Sequence, residues 1–177
     1  QEGWGINTQV DLANAAAVLR WRILEEFMLD GISIEDPATT FISDGVKIGR
    51  GTVIKPFTVI EGDVVIGKNC VLGPFAHFRP GTRIGNQVEI GNFTEISRSK
   101  IGDKSFMKHF SFLGDAVAGC EVNIGAGVVT ANYDGKDKHQ TRLGDGAFIG
   151  SDSILVAPVK IGKRAVTGAG CVVAKEK

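Results

Sequence analysis

Three histidines, His77, His109 and His139, are the chain's candidates for proton transfer at neutral pH. Imidazole titrates near pH 6.5 and takes a proton readily from an attacking amine or hydroxyl. His109 is the third residue of a six-residue unit that begins at Met107, which places it on an outer face. His77 closes its own unit and His139 lies in a polar excursion, so both read as surface residues. A metal centre of three imidazoles needs a close pair among them. These three are spread far along the chain, so no metal is expected. The excursion itself, ANYDGKDKHQTR, follows Thr130 and brings Asn132, Tyr133 and Lys138. Loops that project from a rigid scaffold are favoured places for ligand contacts. Arg79 adds a cation for an anionic group, and Glu95 a carboxylate of the kind that orients a catalytic imidazole.

The element that must position these groups is a repeat. An apolar residue recurs every six positions at Ile48, Ile54, Ile60, Ile66, Leu72, Phe78, Ile84, Ile90 and Ile96. The register slips by one to Ile101, Met107 and Leu113, and again to Ala118, Ile124 and Thr130. After the excursion it returns at Leu143, Ile149, Leu155, Ile161, Thr167 and Val173. Six is a poor multiple of about 3.6 residues per helical turn. It suits a short strand and a tight turn, three of which close one triangular coil of a parallel β-helix. The apolar residues then stack inward with coils about 4.8 Å apart. The small residue after many of them (Gly49, Gly67, Gly73, Gly85, Gly91 and their like) is expected at a corner with positive φ.

Counting units links the candidates. Arg79 lies five units before the unit of His109 and Asn132 four units after it, so both fall on one face, next to the one that carries His109. Glu95 precedes His109 by about two units. One prism leaves such a site incomplete, which points to a boundary between abutting subunits.

The first part of the chain differs in kind. Asp11 reads as an N-cap, and the run to Asp30 holds good helix formers without Gly or Pro, ending at Gly31. Leu12, Ala15, Ala16, Leu19, Ile23, Phe27 and Met28 form its apolar stripe. The expected organisation is a linker arm over residues 1–41, with a helix over about 11–30, and a β-helix over 42–177. The chain opens on EGWGINT without an initiator Met, so a domain of a longer protein is expected.

Composition bounds the function classes. Twenty basic and twenty acidic residues cancel, which argues against a nucleic-acid footprint or a polybasic membrane surface. No apolar run approaches the roughly 20 residues that span a bilayer. Cys70 and Cys171 take inward positions and Cys120 lies near a corner, consistent with a reducing, cytoplasmic setting.

The stretches GPFAHFRPGTRIG, GNFTEI, FLGDA, VNIGAGVVTANYDGKDKHQT and FIGSDSILVAPVKIGK make the reading more specific. They resemble the acetyltransferase domain of the bacterial bifunctional N-acetylglucosamine-1-phosphate uridylyltransferase / glucosamine-1-phosphate acetyltransferase family. The resemblance covers roughly residues 73–173, and the helix looks like that family's interdomain arm. It implies a left-handed coil, a homotrimer, acetyl-coenzyme A as co-substrate and no metal for acetyl transfer. It implies further that His109 is the general base with Glu95 beside it, and that Arg79, Asn123, Asn132 and Lys138 hold the amino sugar phosphate. Ala126, Asn132, Tyr133, Ser151 and Ala169 then lie along coenzyme A.

Three departures stand out. The family's lysine two residues after Glu95 is Ser97, its tyrosine three residues after His109 is Phe112, and its basic C-terminal segment lies beyond Lys177. Arg83, Arg98 or Lys108 could supply the missing cation, although strand alternation turns Arg98 away from Ser97. The expected function is acetyl transfer to an amino sugar phosphate, most specifically glucosamine 1-phosphate, feeding UDP-N-acetylglucosamine and cell-wall synthesis. A nucleotidyltransferase domain upstream is the expected partner. Acyl transfer to another sugar nucleotide, or a catalytically silent assembly subunit, are the alternatives.

Overall fold

The computed structural model describes Gly3 and residues 5–174; the rest, including part of the opening EGWGINT, lies outside the described residues. The helix α1 spans Gln9–Leu29, and its cap is Thr8, three residues before the expected Asp11. The Thr8 hydroxyl accepts from the Asp11 amide at 3.1 Å and the Asp11 carboxylate accepts from the Thr8 amide at 2.9 Å. Asp11 is thus the far half of a capping box. The expected stripe is buried only toward its end. Leu24 is wholly buried and Ile23, Phe27 and Met28 pack beside it, whereas Leu12 and Leu19 are exposed. The reason is that α1 meets the solenoid through its last turns alone, with Leu24 closing the top of the core over Ile32, Ile34 and Ile42.

From there the chain coils as a parallel β-helix with three sheets, of seven, eight and seven strands. Its first strand, Ser33–Ile34, already pairs with Val53–Ile54, so the coil begins before residue 42. The first sheet runs on through Val71–Leu72, Glu89–Ile90, Phe106–Met107, Asn123–Ile124 and Phe148–Ile149. The second includes Ala76–Phe78, Thr94–Ser97, Ser111–Gly114, Val129–Ala131 and Ile154–Val156. The third includes Arg83–Ile84, Lys100–Ile101, Ala116–Ala118, Thr141–Leu143 and Val159–Ile161. Inward side chains stack coil on coil, with Ile54, Leu72, Ile90 and Met107 in one column and Ile60, Phe78, Ile96 and Leu113 in the next, all sealed from solvent.

The two slips in the repeat are shortened turns at one place. Ile84 pairs with Ile101 and Ile101 with Ala118, so each of these coils loses a residue at the corner between the second and third sheets. The polar excursion is inserted at the same corner one coil later, because Ala118 pairs with Leu143. Three consecutive irregularities are therefore stacked along one edge of the prism.

The glycine expectation needs correction. Of Gly49, Gly67, Gly73, Gly85 and Gly91, only Gly73 has a positive φ. At the others a Cβ would strike the neighbouring coil: at Gly49 it would lie 2.7 Å from the Gly67 carbonyl carbon, at Gly67 2.6 Å from that of Gly85. Close approach of coils, rather than backbone conformation, excludes a side chain there. The left-handed corner conformation falls largely on other residues, among them Phe57, Phe75, Phe93, Arg98 and Asp115. Phe57, Phe75 and Phe93 stack along the corner between the first and second sheets, with ring centroids 4.7 and 4.9 Å apart.

Candidate functional site

His109 occupies that same corner, and the residues stacked with it change character from one side to the other. Two positions after each inward residue of the first sheet stand Pro56, Pro74, Asn92, His109, Ala126, Ser151 and Ala169 in turn. One position further come Phe57, Phe75, Phe93, Phe110, Gly127, Asp152 and Gly170. Bulky rings thus cover the coils before His109, and small side chains leave the edge open after it. Three of the five residues expected along coenzyme A, Ala126, Ser151 and Ala169, share the column of His109 at about 4.8 Å per coil, whereas Asn132 and Tyr133 follow a strand of the second sheet.

The turn that holds His109 also differs from its neighbours. Every other residue in the Phe57 to Gly170 column has a positive φ, and Phe110 does not. The amides of Phe75, Asp152 and Gly170 bond to Pro56, Ala126 and Ser151, whereas the Gly127 amide goes past His109 to the Phe110 carbonyl, at 2.7 Å. The imidazole of His109 is exposed at this bend.

Gly91 supports the bend from the coil before. A Cβ on Gly91 would collide with the Lys108 carbonyl and lie 2.7 Å from the Lys108 Cα, immediately before His109. We expect Gly91→Ala to destabilise the protein by about 1–3 kcal/mol, the usual cost of overpacking. The melting temperature and the catalytic rate should fall together; an unchanged melting temperature would show that the coils separate freely.

The second sheet carries the charged groups. Arg79 follows Ala76–Phe78 and Asn132 follows Val129–Ala131, so the two share this sheet, as the unit count implied. Arg79 Nη1 donates to Glu95 Oε1 at 3.1 Å, with both side chains part-exposed. Within one chain the partner of Glu95 is therefore Arg79, and Glu95 is not brought against His109. His77, read as a surface residue, is half-buried, bonded to Glu61, and lines an open groove of about 580 Å³ with Glu95, Phe110, Phe112 and Val129. Asn123 lies on the first sheet, beside Phe106 and Phe148, and so on a different face from Arg79.

The stacked irregular corner holds Asp115, which sequence reasoning missed, between Arg98 and Asn132, which it had singled out. Arg98 lies just past Thr94–Ser97 with φ 48°, so strand alternation does not apply to it. Its guanidinium folds back, and Nη1 donates to the buried Ser97 Oγ at 2.8 Å. Arg98 Nε and Nη2 also grip Asp115 Oδ1 and Oδ2 at 2.7 and 2.9 Å. A cation thus stands over Ser97 after all, though a carboxylate already pairs it. The Arg98 hydrogen bond holds the Asp115 carboxyl below its ordinary range, with a smaller contribution from the Asn132 amide. Gly114 makes the room: a Cβ there would lie 2.6 Å from Asn132 Nδ2 and 2.8 Å from Phe112 Cζ. The signal was available in the spacing, since residues 98, 115 and 132 are each 17 apart.

The excursion is a self-bonded hairpin. Asp134 Oδ1 accepts the Lys136 and Asp137 amides at 2.8 Å each, and Oδ2 pairs with His139 Nε2 at 2.7 Å. The Asp137 amide foremost, then the His139 ring and the Lys136 amide, hold the Asp134 carboxyl far below its ordinary range. The His139 amide closes the base of the loop on the Asn132 carbonyl at 2.7 Å, and Tyr133 and Lys138 are left exposed on its flanks. His139 is thus a loop staple.

Comparison with known proteins places this geometry. The family model for bacterial transferase hexapeptide (six repeats) matches residues 45–80, 63–98 and 140–175. The bifunctional protein GlmU of Syntrophomonas wolfei is 42% identical, over 98% of this chain and 46% of that protein. The bifunctional protein GlmU of Thermotoga maritima is also 42% identical, over 97% of this chain and 46% of that protein. The chain spans about half the length of these curated relatives. Among solved structures, the acetyltransferase domain of PglB from Neisseria gonorrhoeae, in complex with acetyl coenzyme A, has a TM-score of 0.52 at 17% identity. It covers 88% of this chain and 64% of that one. LpxA, a UDP-N-acetylglucosamine acyltransferase from Bacteroides fragilis, has a TM-score of 0.52 at 19% identity, over 77% and 66%. At those identities the likeness is one of fold.

Proposed function

We propose, from the premise that this chain belongs to the bacterial transferase hexapeptide family, that it moves an acetyl group from acetyl-coenzyme A to the amine of glucosamine 1-phosphate. The observation that carries this reading is the corner column. An exposed imidazole heads a row of small residues, Ala126, Ser151 and Ala169, long enough for an extended pantetheine chain to lie along them. The coils before His109 are closed to such a chain by Phe57, Phe75 and Phe93.

In this mechanism His109 takes a proton from the sugar amine as the nitrogen attacks the thioester carbon. The tetrahedral intermediate collapses, the C–S bond breaks, and the sulfur of coenzyme A leaves as a thiolate that takes the proton from His109, giving the free thiol as the amide forms. Arg79 holds the sugar phosphate, with Lys138 approaching from the loop, while Tyr133 lies against coenzyme A. Glu95 orients His109 once a phosphate has drawn Arg79 away from it. Asn123 projects from another face, so a site containing both it and Arg79 is completed by a neighbouring subunit of a homotrimer. The resemblance to the relatives, of which this chain matches less than half, supports a full-length protein with an upstream nucleotidyltransferase domain. Its product would feed cytoplasmic UDP-N-acetylglucosamine synthesis and thereby the cell wall. Among the described residues no helix is long and apolar enough to cross a membrane.

Release of free thiol from acetyl-coenzyme A on addition of glucosamine 1-phosphate tests the reading; no release with this sugar, against release with another amino sugar, would move the acceptor. Ser97→Lys sharpens the test. A charge-assisted hydrogen bond is worth about 1.5–3 kcal/mol, so an added cation should lower KM for glucosamine 1-phosphate about tenfold. An unchanged KM would mean that Arg98 already serves the phosphate or that the acceptor is a different sugar.

A further inference from the structure

Arg98, Asp115 and Asn132 occupy the same position in three consecutive coils, each two residues after an inward side chain of the second sheet. They are joined in that order by hydrogen bonds, Arg98 to Asp115 through two nitrogens and Asn132 Nδ2 to Asp115 Oδ2. An ionised carboxylate only accepts hydrogen bonds. Asn132 must therefore turn its NH2 inward to Asp115. Its own backbone carbonyl is taken by the His139 amide, and Gly114 leaves the space in which the amide lies. The remaining atom, Oδ1, can only be an acceptor.

We propose that Arg98 and Asp115 are positioning residues that lock the Asn132 amide with its oxygen outward, so that Asn132 accepts a hydrogen bond from the amine of the acceptor sugar. The inference rests on the acetyl-transfer reading for the identity of that amine, while the lock rests on the geometry. An acceptor at this point holds one N–H of the amine and leaves the nitrogen lone pair free to attack. It also means that Asn132 does not donate to the oxyanion.

The isosteric substitution Asp115→Asn separates orientation from bulk. Arg98 would claim the one remaining oxygen of residue 115, whose NH2 would then face Asn132 and force that amide to invert. Turnover with glucosamine 1-phosphate should fall about tenfold or more, since small misplacements at a reacting centre cost up to about 10²-fold. KM for acetyl-coenzyme A should stay as in the wild type. The pair Asp115→Asn/Asn132→Asp restores a donor below and an accepting oxygen above, and should recover part of the turnover. Wild-type turnover in Asp115→Asn, or a double variant no better than the single one, would overturn the lock. If the wild-type protein releases no thiol, the acetyl-transfer reading fails, and the lock is tested by proton exchange of the Asn132 side-chain amide, assigned with Asn132→Ala. Slow exchange in the wild type and fast exchange in Asp115→Asn support it; equal rates in the two overturn it.

Discussion

His109→Ala will lower the rate constant of acetyl transfer by about 10²-fold or more at neutral pH, the scale on which a general base acts. Affinity for coenzyme A will change little. The fold gives both expectations a basis. The side chain of His109 is exposed and packs into no core column, and the inter-coil hydrogen bond at its turn is carried by the Phe110 carbonyl. The alanine variant should therefore keep its melting temperature, and a loss of rate will report chemistry rather than unfolding. Pre-steady-state measurement of the acetyl-transfer step decides the matter; a rate within a factor of about three of wild type in a folded oligomer would remove the imidazole from the mechanism. Glu95→Gln makes a useful contrast, because Glu95 in this chain is bonded to Arg79. That variant should lower turnover while also lowering KM for the sugar phosphate, since a neutral amide competes less than a carboxylate for Arg79, the proposed phosphate ligand.

Much of the architecture was legible because a six-residue period leaves few alternatives. The inward columns through Ile54, Ile60 and their equivalents are the apolar series of the sequence, and even the two slips are real shortened turns. The places where residue-level expectation went astray share a cause: each depends on what the next coil does, which no local pattern records. Gly67 looked like a corner residue, but the Gly85 backbone one coil away is what excludes its Cβ. Arg98 looked like a strand residue pointing away from Ser97, but the deletion at its corner puts it in a left-handed turn with its guanidinium over that serine. Glu95 has a partner that no local pattern announced, since the register sets it diagonally beside Arg79. The α1 cap was misread for a local reason, since Thr8 and Asp11 form a reciprocal pair and either suits a cap. Of the site, the column of His109 with Ala126, Ser151 and Ala169 is recoverable by counting alone. The ladder from Arg98 to Asn132 is recoverable only once the coil length there is known to be 17 rather than 18 residues.

Subunits crippled on different faces should repair one another. Arg79 belongs to the second sheet and Asn123 to the first, and the prism corner that bears His109 stands between them. In the proposed homotrimer, Arg79→Ala chains would lack the proposed phosphate cation in every site and Asn123→Ala chains the amide in every site, so each assembly should be nearly inactive. In a closed ring each interface is the same heterologous contact, with one face given by one chain and the other by its neighbour. Random reassembly of an equal mixture then makes about a quarter of the interfaces wild type on both sides, and about a quarter doubly deficient. Activity should rise from background toward about a quarter of the wild-type value after dissociation and reassembly, and not on simple mixing. If the two residues act within one chain, every site keeps one lesion and no activity returns however the chains are shuffled. That outcome, or a fully active monomer in sedimentation, would confine the site to a single prism.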